Sequence, residues 1–327
     1  MTEGRSARIA VLASGGDAPG MNACLRAVVR AGRRAGLEVL GVRRGYAGLI
    51  AGDMAPLERQ DVGNIIQRGG IVLGTARCEE FHTVEGRARA GRALRDVGVE
   101  ALVVMGGDGS YRGALALAQE IGVCCLGIPA SIDNDVYGTD FSIGFDTAVN
   151  TALESIDRIR DTADASEHPF FVEVMGRASG AIALEVALAG GADGVVVPET
   201  PTDVDALCRL LQEGFRKGKR SHIVVVAEGD EAGGALALAR RVGERIKSEH
   251  RVVVLGHVQR GGSPTARDRV LASKLGAAAV DALLAGEANQ AVGEIGGRVR
   301  LTPLQEAAER KKQTDRALLD LAYRLSR

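Results

Sequence analysis

Short runs of aliphatic residues, each closing on a glycine-rich or acidic turn and followed by a helical pattern, recur along this 327-residue chain. Residues 9–13 lead through Ser14-Gly15-Gly16-Asp17-Ala18-Pro19-Gly20-Met21-Asn22 into a helix reaching about residue 35. Residues 101–105 end at Gly106-Gly107-Asp108-Gly109-Ser110, with a helical pattern over 111–119. Residues 124–128 stop at Pro129 and continue as Ala130-Ser131-Ile132-Asp133-Asn134-Asp135. Further strands are predicted at 38–42, 170–175, 194–197, 222–227 and 251–255, and further helices at 84–97, 144–163, 203–216 and in an Ala-rich stretch ending near 284. Continuous apolar strands alternating with helices argue for a parallel sheet covered on both faces. In such sheets the loops at the carboxyl ends of neighbouring strands converge on one crevice.

Length alone suggests two domains. A net charge of -1 gives no reason to expect a nucleic acid or a membrane surface as partner. Hydrophobic residues make up 46% of the chain, enough for a sizeable core, yet no apolar run approaches the roughly 18 residues that span a bilayer. The apolar stretch in residues 1–14 is far too short for a secretory signal, and Cys24, Cys78, Cys124, Cys125 and Cys208 have no metal-ligand spacing. The expectation is a cytoplasmic protein with reduced thiols.

The loops carry the chemistry. Three glycines around Asp108 let backbone amides approach a polyphosphate, since any Cβ would hold the ligand away. Asp108 sits beside phosphate only with a divalent cation between them, and Mg²⁺ uses one or two carboxylates plus substrate phosphates. The plain alternative is a capped strand-to-helix turn. Asp133 and Asp135, two apart in a segment read as extended, point the same way, which a site with a cation or donor between them accounts for. The loop of residues 14–22 ends at a helix N-terminus that favours anions, although it is neither the Walker sequence nor G-x-G-x-x-G. Arg26 and Arg30 share a face of that helix, as an anion pocket or a solvated basic face. With only six lysines among 41 basic residues, no single arginine is informative unless a motif surrounds it. Arg177, Glu228, Arg251, His257 and Arg260 form a set suited to a sugar phosphate, arginines for the phosphate, carboxylate and imidazole for hydroxyls.

Residues 14–22, Gly106-Gly107-Asp108-Gly109-Ser110, Ile132-Asp133-Asn134-Asp135, Glu173-Val174-Met175-Gly176-Arg177 and Gly256-His257-Val258-Gln259-Arg260-Gly261-Gly262-Ser263-Pro264 together resemble the bacterial ATP-dependent 6-phosphofructokinase family, in that family's order and over essentially the whole chain. The resemblance implies two similar three-layer α/β/α domains with mostly parallel sheets: an ATP-binding domain at 1–142 plus 256–303, and a sugar-phosphate domain at 143–255 plus 304–327. It implies transfer of the γ-phosphoryl of ATP to the 1-hydroxyl of fructose 6-phosphate in glycolysis, with Mg²⁺ on Asp108. Asp133 becomes the base, and Asp135, Arg77 and Arg177 complete the catalytic set. ATP falls to Gly16, Arg77, Cys78 and Gly107 to Ser110; fructose 6-phosphate falls to Ser131, Ile132, Asp133, His168, Met175, Gly176, Arg177, Glu228, Arg251, His257, Val258, Gln259 and Arg260. The family assembles as a homotetramer with an effector pocket for nucleoside diphosphate or phosphoenolpyruvate between subunits. The matching positions are Arg26, Arg30, Arg59, Arg160, Asp193, Lys217, Lys219, Arg220 and Ser221.

Some positions depart from the family pattern. His168 replaces an Arg that reaches the neighbouring subunit's sugar phosphate, Ala130-Ser131 replaces Gly-Thr, Asn64 replaces an acid and Ser221 a His. Two other readings compete. A pyrophosphate-dependent phosphofructokinase usually carries Asp at the position of Gly109 and Lys at that of Ala130, whereas a regulatory paralogue would bind nucleotide without turnover.

Overall fold

The structure is a computed structural model that describes residues 7–166 and 168–325. It divides into two compact units that the chain visits alternately. The first runs to Asp146 and resumes over Arg260–Lys312; the second takes Thr147–Gln259 and the chain from Gln313 onward.

In the first unit, strands β1 (Arg8–Ala13), β2 (Glu38–Val42), β4 (Ala101–Gly106), β5 (Cys124–Pro129) and β10 (Gln290–Ile295) are parallel, with β3 (Met54–Pro56) and β11 (Arg298–Pro303) antiparallel at the two edges. The order is β11-β10-β5-β4-β1-β2-β3. Helices α1 (Met21–Arg34), α2 (Gly45–Ala51), α3 (Val84–Asp96), α4 (Asp108–Ile121), α9 (Ala266–Leu284) and α10 (Leu304–Glu309) cover it. Successive strand residues face opposite sides of a sheet. Ala10, Leu12, Leu40, Val42, Leu102 and Val104 therefore share one face, packed with Leu49 of α2, Leu94 of α3, Leu117 of α4 and Leu304 of α10. Ile9 and Val39 lie on the other face, where both come within van der Waals reach of a side chain at Gly32 of α1.

The second unit holds a fully parallel sheet, β7-β8-β6-β9, from β6 (Pro169–Val174), β7 (Gly194–Val196), β8 (His222–Ala227) and β9 (Arg251–Val254). Helices α5 (Phe145–Ser166), α6 (Ala181–Ala189), α7 (Val204–Arg216), α8 (Gly234–Ile246) and α11 (Arg316–Leu325) accompany it. Phe171, Val224 and Val226 pack with Leu207 and Leu211 of α7 and Leu238 and Val242 of α8.

The sheets are mostly parallel, as expected, and only the edge strands β3 and β11 of the first sheet run antiparallel. The β10–β11 hairpin closes on Gly296 and Gly297, both at positive φ (58° and 76°), a two-residue turn that reverses the chain. Several expectations need correction. Helix α4 begins at Asp108, three residues before the apolar pattern that predicted it. The expected domain limits at 142, 255 and 303 fall at 146, 259 and 312. One cause is Asp146, whose Oδ2 accepts from Thr265 Oγ1 at 2.6 Å within the first unit. Another is α10, which packs on α4, so the chain leaves the first unit only after it.

Candidate active site

The connection from β1 runs through α1 to β2 on one side, while β4 lies on the other, so the order in which parallel strands are added reverses between β1 and β4. A crevice opens at the carboxyl ends of the strands at such a point. The loops that leave β1 and β4 are locked together there. Ser14 N donates to Met105 O (3.0 Å), Ser110 Oγ donates to Ser14 O (3.0 Å), and Tyr46 Oη donates to Ser110 O (2.6 Å). A Cβ at Gly106 would stand 2.5 Å from Ser14 O, a backbone atom, so glycine is required for this closure. At Gly107 the same Cβ would meet nothing within 4 Å. That glycine leaves open space beside the α4 N-terminus, which no side chain caps. Open space at a helix N-terminus, where the dipole is positive, suits an anion.

Asp108 is the first residue of α4: Oδ1 accepts from Gly109 N (2.6 Å) and Oδ2 from Arg112 Nη1 (3.0 Å). Among the described residues no three His, Cys, Asp or Glu side chains converge as a metal cage. A lone Asp beside an anion loop suits Mg²⁺, which takes its remaining ligands from phosphate and water. Thr75 Oγ1 donates to Gly15 O (2.7 Å), which brings the segment with exposed Arg77 and half-buried Cys78 to the same loop. Arg260, assigned to the sugar phosphate from its motif, lies against this loop as well. Its Nη1 donates to Asp17 O (3.1 Å), and a Cβ at Gly16 would come within 2.4 Å of that nitrogen.

The third loop follows β5, the neighbour of β4, and Ala130 N donates to Gly106 O (3.1 Å). The segment beyond is a turn rather than the extended chain expected. Asn134 takes φ 51°, and its side chain accepts from Ser142 N (2.9 Å) and donates to Asp140 O (3.3 Å). The alternation argument for Asp133 and Asp135 therefore lapses. Asp133 is buried at 4% exposure beside buried Ile132, whereas Asp135 is half-buried and accepts from Ser131 Oγ (3.1 Å). Ser131 Oγ also accepts from Asp133 N (3.3 Å), so one hydroxyl ties the two acids' positions together.

In the second unit the loop after β6 is built on Glu228, at the end of neighbouring β8. Its Oε1 accepts from Gly176 N (3.3 Å) and Arg177 N (2.9 Å), fixing Arg177 at φ 52°, an uncommon value for a side-chain-bearing residue. Gln259 was expected to touch the sugar phosphate. It is fully buried, accepts from Met175 N (2.8 Å) and donates to Ala148 O (3.5 Å), so it is a strut under the Met175 loop. His257 and Val258 are exposed on a 3-10 turn over Gly256–Arg260. Glu249 stands between two residues assigned to the phosphate, 3.6 Å from His168 Nε2 and 3.5 Å from Arg251 Nη2.

The residues assigned to an effector are split between the units. Arg26 and Arg30 lie on α1, where burial and then the neighbouring Arg30 push the Arg26 guanidinium down; Arg59 is exposed in the loop after β3. In the second unit, a cavity of about 1140 Å³ is lined by Asp193, Lys217, Lys219 and His222 on its polar side and by Leu207 and Tyr323 among others. Burial raises the Asp193 carboxyl, but His222, Lys219 and the amide of Ile223 outweigh it and hold the group below its ordinary value. Lys217 pairs with Glu213 (2.8 Å), Ser221 donates to Asp164, and Arg160 donates to Gly191 O (3.2 Å); Arg220 is exposed.

Glycine loops meeting at a sheet's switch point, with one acid on the loop and another on the adjacent turn, are the site of a phosphate-handling α/β enzyme. Residues 8–283 match the family described as Phosphofructokinase. The chain is 60% identical over 319 residues to the protein named ATP-dependent 6-phosphofructokinase 1 of Thermus thermophilus, covering 98% of this chain and 99% of that one. Its fold is similar to the phosphofructokinase of Saccharomyces cerevisiae, with a TM-score of 0.86 and 35% identity; the match covers 98% of this chain and 47% of the yeast chain, about half its length. It is also similar to the pyrophosphate-dependent phosphofructokinase of Marinobacter aquaeolei, with a TM-score of 0.82 and 25% identity over 94% of this chain and 86% of that one. The chain belongs to the phosphofructokinase family.

Proposed function

We propose that the chain is an ATP-dependent 6-phosphofructokinase, which transfers the γ-phosphoryl of ATP to the 1-hydroxyl of fructose 6-phosphate and releases fructose 1,6-bisphosphate and ADP. The observation that carries this reading is the junction of the Gly106–Ser110 loop with the Asp133 turn: Ala130 N on Gly106 O sets a buried carboxylate beside an anion loop. The name of the Thermus thermophilus relative supports both donor and acceptor.

Asp133 accepts the proton of the attacking hydroxyl. The new bond joins the sugar oxygen to the γ-phosphorus, and the bond to the β-phosphate oxygen breaks as ADP leaves. Such transfers proceed through a loose transition state, in which positioning and charge neutralisation do most of the work. The amides of Gly107 to Ser110 and Gly16 receive the phosphates, Asp108 would hold Mg²⁺, and Arg77 and Arg177 offset charge on the transferring group. Asp135 holds Ser131, which in turn holds the Asp133 amide. When bound, Mg²⁺ supplies charge neutralisation along the polyphosphate. Met175 to Arg177, Glu228, Arg251, His257, Arg260 and His168 hold the sugar phosphate. Arg26, Arg30, Arg59, Arg160, Asp193, Lys217, Lys219, Arg220 and Ser221 form an anionic-effector pocket in a homotetramer, and the protein works in the cytoplasm.

A pyrophosphate donor is the second reading, because a fold shared with the Marinobacter aquaeolei enzyme does not choose between donors. The choice rests on Gly109. A Cβ there would touch only Arg112 Nη2 at 3.7 Å, so packing does not require glycine and its small size is left to serve a ligand. The test is the rate of fructose 6-phosphate phosphorylation with ATP and with pyrophosphate, each with Mg²⁺. Turnover with ATP at least about a hundred times faster is expected; the reverse preference would overturn the donor reading.

A further inference from the structure

Arg112 lies one helical turn into α4, and neither the loop motif nor the roles above include it. Its guanidinium folds back over the start of its own helix. Nη1 donates to Asp108 Oδ2 (3.0 Å) and to Ala308 O (3.2 Å), a carbonyl in the last turn of α10. Nη2 lies 3.7 Å from where a Cβ on Gly109 would stand, so the group also covers the glycine that the donor passes. A cation at a helix N-terminus faces the positive end of the dipole and is disfavoured there. This one is held by two acceptors, one from each of two helices, and the acid it neutralises is the one assigned to the metal.

We propose that Arg112 is the counter-ion of Asp108, and that Asp108 exchanges this guanidinium for Mg²⁺ when the metal–nucleotide complex binds. The proposal rests on the reading of Asp108 as the metal-bearing acid. Without metal, the Asp108 carboxylate faces a triphosphate of like charge, and the Arg112 guanidinium on its Oδ2 offsets that charge. With metal, the Asp108 carboxylate would turn from the guanidinium to Mg²⁺, leaving Arg112 on Ala308 O. Arg112 is thus a positioning residue. It keeps Asp108 oriented for the metal and makes the empty loop tolerable to a polyanion.

The consequence is a change in metal dependence rather than in turnover alone. Equilibrium binding of ATP is measured by calorimetry, with Mg²⁺ and with the metal chelated, on the wild type, Arg112→Gln and Arg112→Lys. In Arg112→Gln, metal-free ATP binding is expected to weaken about tenfold and Mg²⁺-ATP binding about threefold or less, so the gain from adding Mg²⁺ grows. Arg112→Lys is expected to restore most of the metal-free affinity. Equal losses with and without metal would make Arg112 an ordinary phosphate ligand, and no loss in either would make it a surface ion pair; both overturn the proposal. Asp108→Asn separates the two layers: if it leaves the gain from Mg²⁺ unchanged, the metal reading of Asp108 itself fails.

Discussion

Asp133 bears the narrowest burden in the molecule. It is buried, reached by Ser131 through its own amide, and set at the end of a strand whose neighbour carries the phosphate loop. Asp133→Asn keeps the shape and removes the proton acceptor, so turnover should fall by at least about a hundredfold while Mg²⁺-ATP binding is retained. Steady-state kinetics beside calorimetric nucleotide binding would check both halves, and near-normal turnover would strip Asp133 of the base role. Gly109 is tested differently. Because its Cβ has room, Gly109→Asp should leave the protein folded yet weaken ATP use much more than pyrophosphate use. Unaltered ATP kinetics would mean that position 109 does not read the donor. Arg112 shows why some residues stay hidden in a sequence: among 35 arginines (41 basic residues less six lysines) it has no motif of its own. Only the fold-back onto Asp108 and Ala308 sets it apart.

Elements differ in how plainly the sequence announces them. The limits expected for β2 and β8 coincide with the strands found, and the helix expected over 203–216 is α7 with its N-cap, Asp203, whose side chain accepts from Ala206 N at 2.8 Å. Glycine loops betray the ends of β1 and β4 because backbone closure forbids other residues, as at Gly106, whereas Pro129 marks the end of β5. Helix α6 was missed because Ala181–Ala189 has almost no polar face, and a short apolar run carries no period. Helix α8 begins at Gly233-Gly234, a pair that reads as a turn. The first turn of α4 reads as loop for the same reason, although the helix begins at Asp108.

The crossing of α1 and α9 is another contact no pattern foretold. A Cβ at Gly276 would lie 2.7 Å from Cys24 O and 2.9 Å from Ala27 Cβ, so the two helices approach through a missing side chain. Gly276→Ala should force them apart at a cost of about 1–3 kcal/mol. Thermal unfolding would show it as a Tm lowered by several degrees, and an unchanged or raised Tm would mean that the crossing relaxes freely.

At the scale of the whole molecule, the path of the chain matters more than any contact. It passes between the units after Asp146, after Gln259 and after Lys312, so neither unit is one continuous stretch. The first sheet takes β1 to β5 from the beginning of the chain and β10 and β11 from near its end, with Gln290 paired to Leu126. A chain ending at residue 289 should therefore leave the outer edge of β5 unpaired and lack α10 against α4. Unpaired strand edges recruit other chains. Size-exclusion chromatography of this truncated chain should show aggregate where the full chain elutes as a defined species, and a well-behaved truncated protein would show β10 to be dispensable.

The same path sets an order of events on the ribosome. Five strands of the first sheet are made early, but β10, the outer partner of β5, emerges only after the whole inserted stretch of residues 147–259 has been synthesised. Throughout that interval the growing polypeptide carries an open edge of its own sheet, and the strand that closes it leaves the tunnel only after the second unit's inserted stretch.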